Sequence, residues 1–271
     1  ALTINGPFRY DGDYAAFDST SYGTFGAGAV DKIYPELWGA NTTPGTTDMT
    51  TEIQAALDSA PTGSVVFLAS NATYIISAPL TMATGVSFSG NLATIKLAAS
   101  TDDHMVEFDT ANTSDMSITN LIFDGNGANQ TNTAGVNIIE FTKNSQRIKM
   151  MGNTFKNAGY TGIRTTGTSG SAQLDHIVIT DNIFLDYYLG GVTLRDTDHF
   201  TVSNNIFDNT TNDQSAPQAN GVVAQVRCEY GTIANNVIKM SAATSVSNVG
   251  IGVNTSTNIS VTGNAIDCNG G

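Results

Sequence analysis

The 271-residue chain carries a net charge of −13, with 40% hydrophobic and only 13% charged residues, so its surface must be built largely from Asn, Thr, Ser and Gly. Such a composition suits a sheet-rich extracellular protein, and the acidic field argues against nucleic acid or an anionic membrane as partner. No apolar run approaches the roughly 20 residues that cross a bilayer, and a start at Ala1 fits a processed secretory product or a piece of a longer protein.

Residues 1–40 read as an N-terminal extension and 41–271 as one repeating body, the latter open to truncation at its C-terminal end. Asp48 to Ala60 is the one convincing helix: Met49, Ile53, Ala56 and Leu57 share a face and Asp48 is placed as N-cap. A solenoid exposes open strand edges at its ends, so this helix reads as a cap. Residues 63–80, 86–90 and 93–97 then supply the first short strands.

From about residue 114 one pattern recurs six times: two apolar residues two apart, a polar pair usually ending in Asn, and an apolar or aromatic residue two later. Its final positions are Phe123, Phe155, Phe184, Phe207, Ile238 and Ile266, separated by 32, 29, 23, 31 and 28 residues. A constant motif with a variable period means loops of different length on a fixed framework. Alternation of period two marks each copy as a strand with one buried face. Asn153, Asn182, Asn205, Asn236 and Asn264 share one register, where Asn tolerates a left-handed bend and its amide can bond from rung to rung. A second strand in each repeat opens with Gly135, Gly162, Gly191, Gly221 or Gly250. Three short strands per 23 to 33 residues is the arithmetic of an all-β, right-handed parallel β-helix with three-strand rungs. A β-sandwich would show strands at 8 to 12 residue spacing without a self-similar motif.

The segment Tyr34-Pro-Glu-Leu-Trp-Gly-Ala40, followed by Thr46-Thr-Asp48 and Ile53-Gln-Ala-Ala-Leu-Asp58, resembles the opening of the pectate-lyase-superfamily (glycoside hydrolase family 28-related) β-helix domain of secreted polysaccharide enzymes and phage tailspikes. The resemblance spans roughly residues 34 to 268, although the Gly-Ala-Lys-Gly-Asp-Gly-type segment of that family is here Gly39-Ala-Asn-Thr-Thr-Pro-Gly45. It implies that the Asn ladder lies between second and third strands and that a ligand groove runs along the Gly-led strands. Alternation along those strands then puts Asn137, Arg164, Thr193, Val223 and Gly252 in one outward column, and Ile139, Thr166, Arg195, Gln225 and Asn254 in another.

Arg164 and Arg195, two of only eleven basic residues, are thereby the candidate catalytic groups. A guanidinium fork clamps a uronate carboxylate and neutralises enolate-like charge during β-elimination. The competing reading is surface arginines paired with Asp186, Asp196 or Asp208. Asn137, Tyr160, Tyr187, Tyr188 and Gln225 are the candidate substrate-binding residues, the tyrosines as stacking platforms and the long segment Asn209 to Asn220 as a wall. Asp175-His176 and Asp198-His199 occupy one register on adjacent repeats, followed by Glu229-Tyr230, and read as a surface ladder away from the groove.

No metal-site motif is present; Ca2+ remains possible without one, and no other cofactor is indicated. Cys228 and Cys268 read as two free, half-buried thiols. Asp102-Asp103-His104 lies near an early rung without the Asn-x-Asp and Gly-His-Gly companions of family 28 hydrolases. The functional readings are a polysaccharide-degrading enzyme, lyase ahead of hydrolase; a glycan-binding tailspike or adhesin module; or a structural solenoid. Assembly as a homotrimer or end to end, and a secreted or virion-tail location, accompany them.

Overall fold

A computed structural model describes residues 2–10, 15–17, 23–108, 110, 112–131, 136–142, 144–165, 174–210, 219–240 and 248–267. Short strands separated by one-residue bends dominate, because β-branched and aromatic residues alternate with polar ones and no long helical period competes. Seven of them stack in parallel as one sheet: Leu80–Thr81, Val106–Phe108, Ile139–Phe141, Thr161–Thr165, Gly190–Leu194, Asn220–Gln225 and Val249–Asn254. A second, continuous sheet wraps the remaining sides, running through Ser145–Met151, Leu174–Thr180, Thr201–Ser203 and Thr232–Ala234 and returning through Thr154–Lys156, Ile183–Leu185, Ile206–Asn209 and Val237–Met240.

Each rung sits on the next in strict register. Phe155 pairs with Phe123 and with Phe184, Phe184 with Phe207, Phe207 with Ile238, and Ile238 with Ile266. The rings in this column stack at 5.4, 4.9 and 4.6 Å between centroids. All four phenylalanines are fully buried, and each contributes up to about 3 kcal/mol of transfer free energy. At the far end the inward positions Val253, Val261 and Ile266 are 44%, 45% and 48% exposed, because no rung among the described residues lies over them.

The expected asparagine column is present. Asn153, Asn182, Asn205 and Asn236 are buried, and each takes the side-chain oxygen of the next as acceptor for both its backbone and side-chain N–H, at 2.9 to 3.1 Å, ending on Asn264. The left-handed bend falls one residue earlier than the sequence suggests. Asn120, Gly152, Asp181, Asn204, Asn235 and Gly263 have φ between 55° and 68°, whereas the ladder asparagines do not adopt positive φ. The preceding residue turns the chain, and that turn frees the next amide to point inward.

The leading glycines have a steric cause. A Cβ on Gly162 would lie 2.7 Å from Gly191 O and 2.9 Å from Phe184 Cδ1, so the strand could not approach the phenylalanine column. The helix spans Thr50–Ser59 and buries Ile53, Ala55, Ala56 and Leu57, with Met49 rather than Asp48 at the N-cap position. Asp48 still serves the first turn: its Oδ1 accepts Thr50 N–H at 3.0 Å while Oδ2 takes the Ser77 hydroxyl at 2.5 Å. Cys228 is fully buried rather than half-buried, and burial pushes its thiol pKa up; Cys268 lies outside the described residues.

Candidate functional site

The seven-stranded sheet presents one outward column in which Glu107, Glu140, Arg164, Thr193, Val223 and Gly252 are consecutive neighbours. From Arg164 onward this is the expected column. Before it, the register differs by three residues: Glu140, not Asn137, faces Arg164, and Ile139 points inward opposite Ile163. The error comes from taking Gly135 as the equivalent of Gly162; the residue in that place is Ile138, which is buried. Gly135 itself lies outside the described residues, as do Thr166 and residues 211–218 of the expected groove wall.

Asn137 is therefore not an outward groove residue. It is wholly buried, and its Nδ2 donates to Glu140 Oε2 at 2.7 Å, holding a carboxylate that is itself only 2% exposed. Its backbone N–H donates to His104 Nδ1 at 3.0 Å. That bond requires an unprotonated Nδ1, so the imidazole carries its proton on Nε2, which sits 3.9 Å from Glu107 Oε1. Burial, with Arg164 nearby, holds the His104 pKa below the ordinary histidine value. A neutral, oriented N–H donor thus stands beside the Glu107 carboxylate, within the electrostatic reach of Arg164.

Arg164 lies over the Tyr160 ring at 5.5 Å, and Tyr160 stacks on Tyr188 at 6.3 Å. Tyr187 is different: it is 1% exposed and packs in the interior, because its neighbour Tyr188 takes the outward side. Arg195 belongs to the next outward column with Gln225 and Asn254, one rung beyond Arg164 and two residues further along. Its Nε is buried without a hydrogen-bond partner among the described residues. Neither arginine forms an ion pair there; Asp196 is taken by Arg227 instead. The arrangement can receive an anion on Arg164, supply an N–H from His104 and offer Glu107 and Tyr160 for proton transfer.

A concavity lies on the other sheet, lined by Asp115, Ser117, Arg147, Lys149, His176 and Val178. Its arginine is already clamped, with Nε and Nη2 on the two oxygens of Asp115 at 2.5 and 2.8 Å. The Asp175 to His199 ladder borders this face, away from the seven-stranded sheet as the sequence indicates. Sequence reasoning missed Glu107 and Glu140; their only signal was the alternation of Val106-Glu-Phe108 and Ile139-Glu-Phe141, a single carboxylate between two core residues in each.

These features define a three-sided parallel β-solenoid with a polar, partly desolvated strip of side chains on one sheet. Residues 106–271 match the family described as the right handed beta helix region, and the chain belongs to it. No curated protein matches the chain in sequence. Solved structures share the fold. The A-module of the mannuronan C-5 epimerase AlgE6 of Azotobacter vinelandii is 18% identical over 86% of this chain and 75% of its own, with TM-score 0.59. A protein of Geobacillus virus E2 is 12% identical over 87% and 62%, with TM-score 0.54. The tailspike of Acinetobacter baumannii phage AM24 is 14% identical over 87% and 45%, with TM-score 0.50. No described helix is long and apolar enough to cross a membrane.

Proposed function

We propose that the strip of side chains on the seven-stranded sheet binds a uronate-containing polysaccharide outside the cell and removes the sugar proton next to its carboxylate, the step shared by β-elimination and epimerisation. The observation that carries this reading is Arg164: a guanidinium with no carboxylate partner among the described residues, held over Tyr160 in a column with Glu107 and close enough to the half-buried His104 to depress its pKa. Pairing of Arg164 with the uronate carboxylate withdraws charge and acidifies the adjacent C–H. Glu107, with its side chain 24% exposed, and the Tyr160 phenol are the groups placed to take that proton, and His104 Nε2–H donates to the oxygen where charge accumulates. Arg195, Gln225 and Tyr188 extend the binding strip along the rungs. A structural neighbour named as a mannuronan C-5 epimerase agrees in substrate class, at an identity that bears on fold alone.

Hydrolysis is the second reading, because Glu107 and Glu140 stand on adjacent rungs like the paired carboxylates of a retaining glycosidase. The buried, amide-bound state of Glu140 weighs against it, since that carboxylate cannot reach a sugar ring. The test is incubation with polyuronates and neutral glycans in deuterated water. Deuterium at the carbon bearing the uronate carboxylate, or unsaturated ends, supports the proposal, and Arg164→Lys should remove either signal by lowering turnover more than affinity. New reducing ends without unsaturation would favour hydrolysis. Tight binding without exchange, unsaturation or cleavage would reduce the strip to a recognition surface.

A further inference from the structure

We propose that Asp175, His176 and His199 form a binding site for a divalent transition-metal ion, on the other sheet from the Arg164 strip, that fastens two neighbouring rungs together. Asp175 lies in the strand Leu174–Thr180 and His199 directly follows Thr197–Asp198 of the next rung, which pairs with it. One carboxylate oxygen, Asp175 Oδ1, is 2.9 Å from His176 Nδ1 and 2.9 Å from His199 Nδ1. The three ligand atoms lie within 4.8 Å of one another. Adjacent ligands around an ion with bonds of about 2.1 Å are roughly 3 Å apart, so the oxygen-to-nitrogen separations already fit, and only the two nitrogens must draw together.

The ring chemistry also fits. With Nδ1 toward the carboxylate, each imidazole presents Nε2 to solvent, and a metal on Nδ1 leaves Nε2–H to be satisfied by water. The rings stack at 4.9 Å and 18°, so their lone pairs must turn inward to converge. Their side chains are 59% and 51% exposed, and because His199 also stacks on Tyr230 at 5.2 Å, His176 is the ring that turns. The local charge favours a cation, since Asp198 stands beside Asp175 on the next rung and Glu229 beside Asp198 on the one after, three carboxylates in one column. One oxygen and two imidazole nitrogens select Zn2+, Ni2+ or Cu2+ over Ca2+ or Mg2+. The other His-containing acidic cluster, Asp103, His104 and Glu107, lacks this property: His104 Nδ1 is occupied by the Asn137 N–H, which commits Nε2 to carrying the proton.

The site escapes motif searches because its ligands come from two repeats 23 residues apart, brought together by the register of the solenoid. The test is calorimetric titration of the tag-free, chelator-treated chain with Zn2+ and with Ni2+ at neutral pH. One saturable site per chain is expected, with an unfolding midpoint that rises with metal concentration. The double variant His176→Asn, His199→Asn should lose both effects while keeping the fold, because Asn tolerates the left-handed backbone at φ 56° and 47°. Asp175→Asn should weaken binding about tenfold or more, and His104→Gln should leave it unchanged. No saturable binding in the parent, equal binding in the double variant, or loss of binding in His104→Gln would each overturn the proposal.

Discussion

Replacing Asn205 by Leu isolates what the buried amide column contributes. Asn205 is wholly buried; its Nδ2 donates to Ile179 O and Asn236 Oδ1 at 3.0 Å, and its Oδ1 accepts Asn182 N–H at 2.9 Å and Asn182 Nδ2–H at 3.1 Å. Leucine has the same branched outline, with two bulkier methyls in place of O and NH2, and no backbone penalty, because the left-handed position is Asn204. Four hydrogen bonds disappear, but not all partners are stranded. Asn182 Nδ2 keeps Met150 O and Thr180 O, and Asn236 Oδ1 keeps Asn205 N–H. The Asn182 N–H and the Ile179 carbonyl lose their side-chain partner, and a stranded buried donor costs about 1 to 3 kcal/mol. A loss near 3 kcal/mol is expected, partly offset by the greater apolarity of Leu. The same change at Asn264, the half-exposed end of the ladder, strands groups that water can reach and should cost about 1 kcal/mol or less. Denaturant unfolding read by hydrogen exchange resolves both effects locally, which matters in a solenoid whose rungs need not melt together. Equal costs at the two positions, or a change under about 0.5 kcal/mol at Asn205, would refute the view that satisfied burial, rather than rung stacking in general, makes the ladder stabilising.

Gly162→Ala should destabilise by about 1 to 3 kcal/mol through overlap with Gly191 O and Phe184, while Gly252→Ala, whose nearest neighbours stand at 3.4 Å or beyond, should be near neutral; thermal melts of the pair check this. Asp198→Asn in metal-free buffer should raise the unfolding midpoint at pH 7, because the partly desolvated Asp198 carboxylate is further opposed by Glu229 and Asp175. Stability should also fall on mild acidification through His104. Burial depresses its folded pKa, so the unfolded chain takes up the proton first; the contribution is complete above pH 6.5 and is lost as pH drops through 6.5 toward the folded value. Denaturant midpoints between pH 7.5 and 5 should therefore slope less in His104→Gln than in the parent, and parallel curves would contradict the assignment.

The repeat made the solenoid readable from sequence alone. A strand of period two, punctuated at a fixed place by Asn and closed by Phe or Ile, can bury its apolar face only against copies of itself, so Phe155, Phe184 and Phe207 and the asparagines beside them announce both the fold and its register. Arg164 and Arg195 fell on the outward face by the same alternation. The register failed where the motif stops speaking: with Ile138 in the place held elsewhere by Gly, counting from Gly135 put Asn137 opposite Arg164 and hid Glu140. Tyr187 and Tyr188 are indistinguishable as letters, and only the packing of the bend decides that one is core and the other surface. Contacts between rungs, such as Asp175 with His199 or His104 with Asn137, join residues 24 and 33 positions apart, and loop length, which the pattern leaves free, sets which of them meet. Local alternation thus determines which way a side chain faces, whereas the stacking of rungs determines what it faces, and the chemistry of this protein resides in the second.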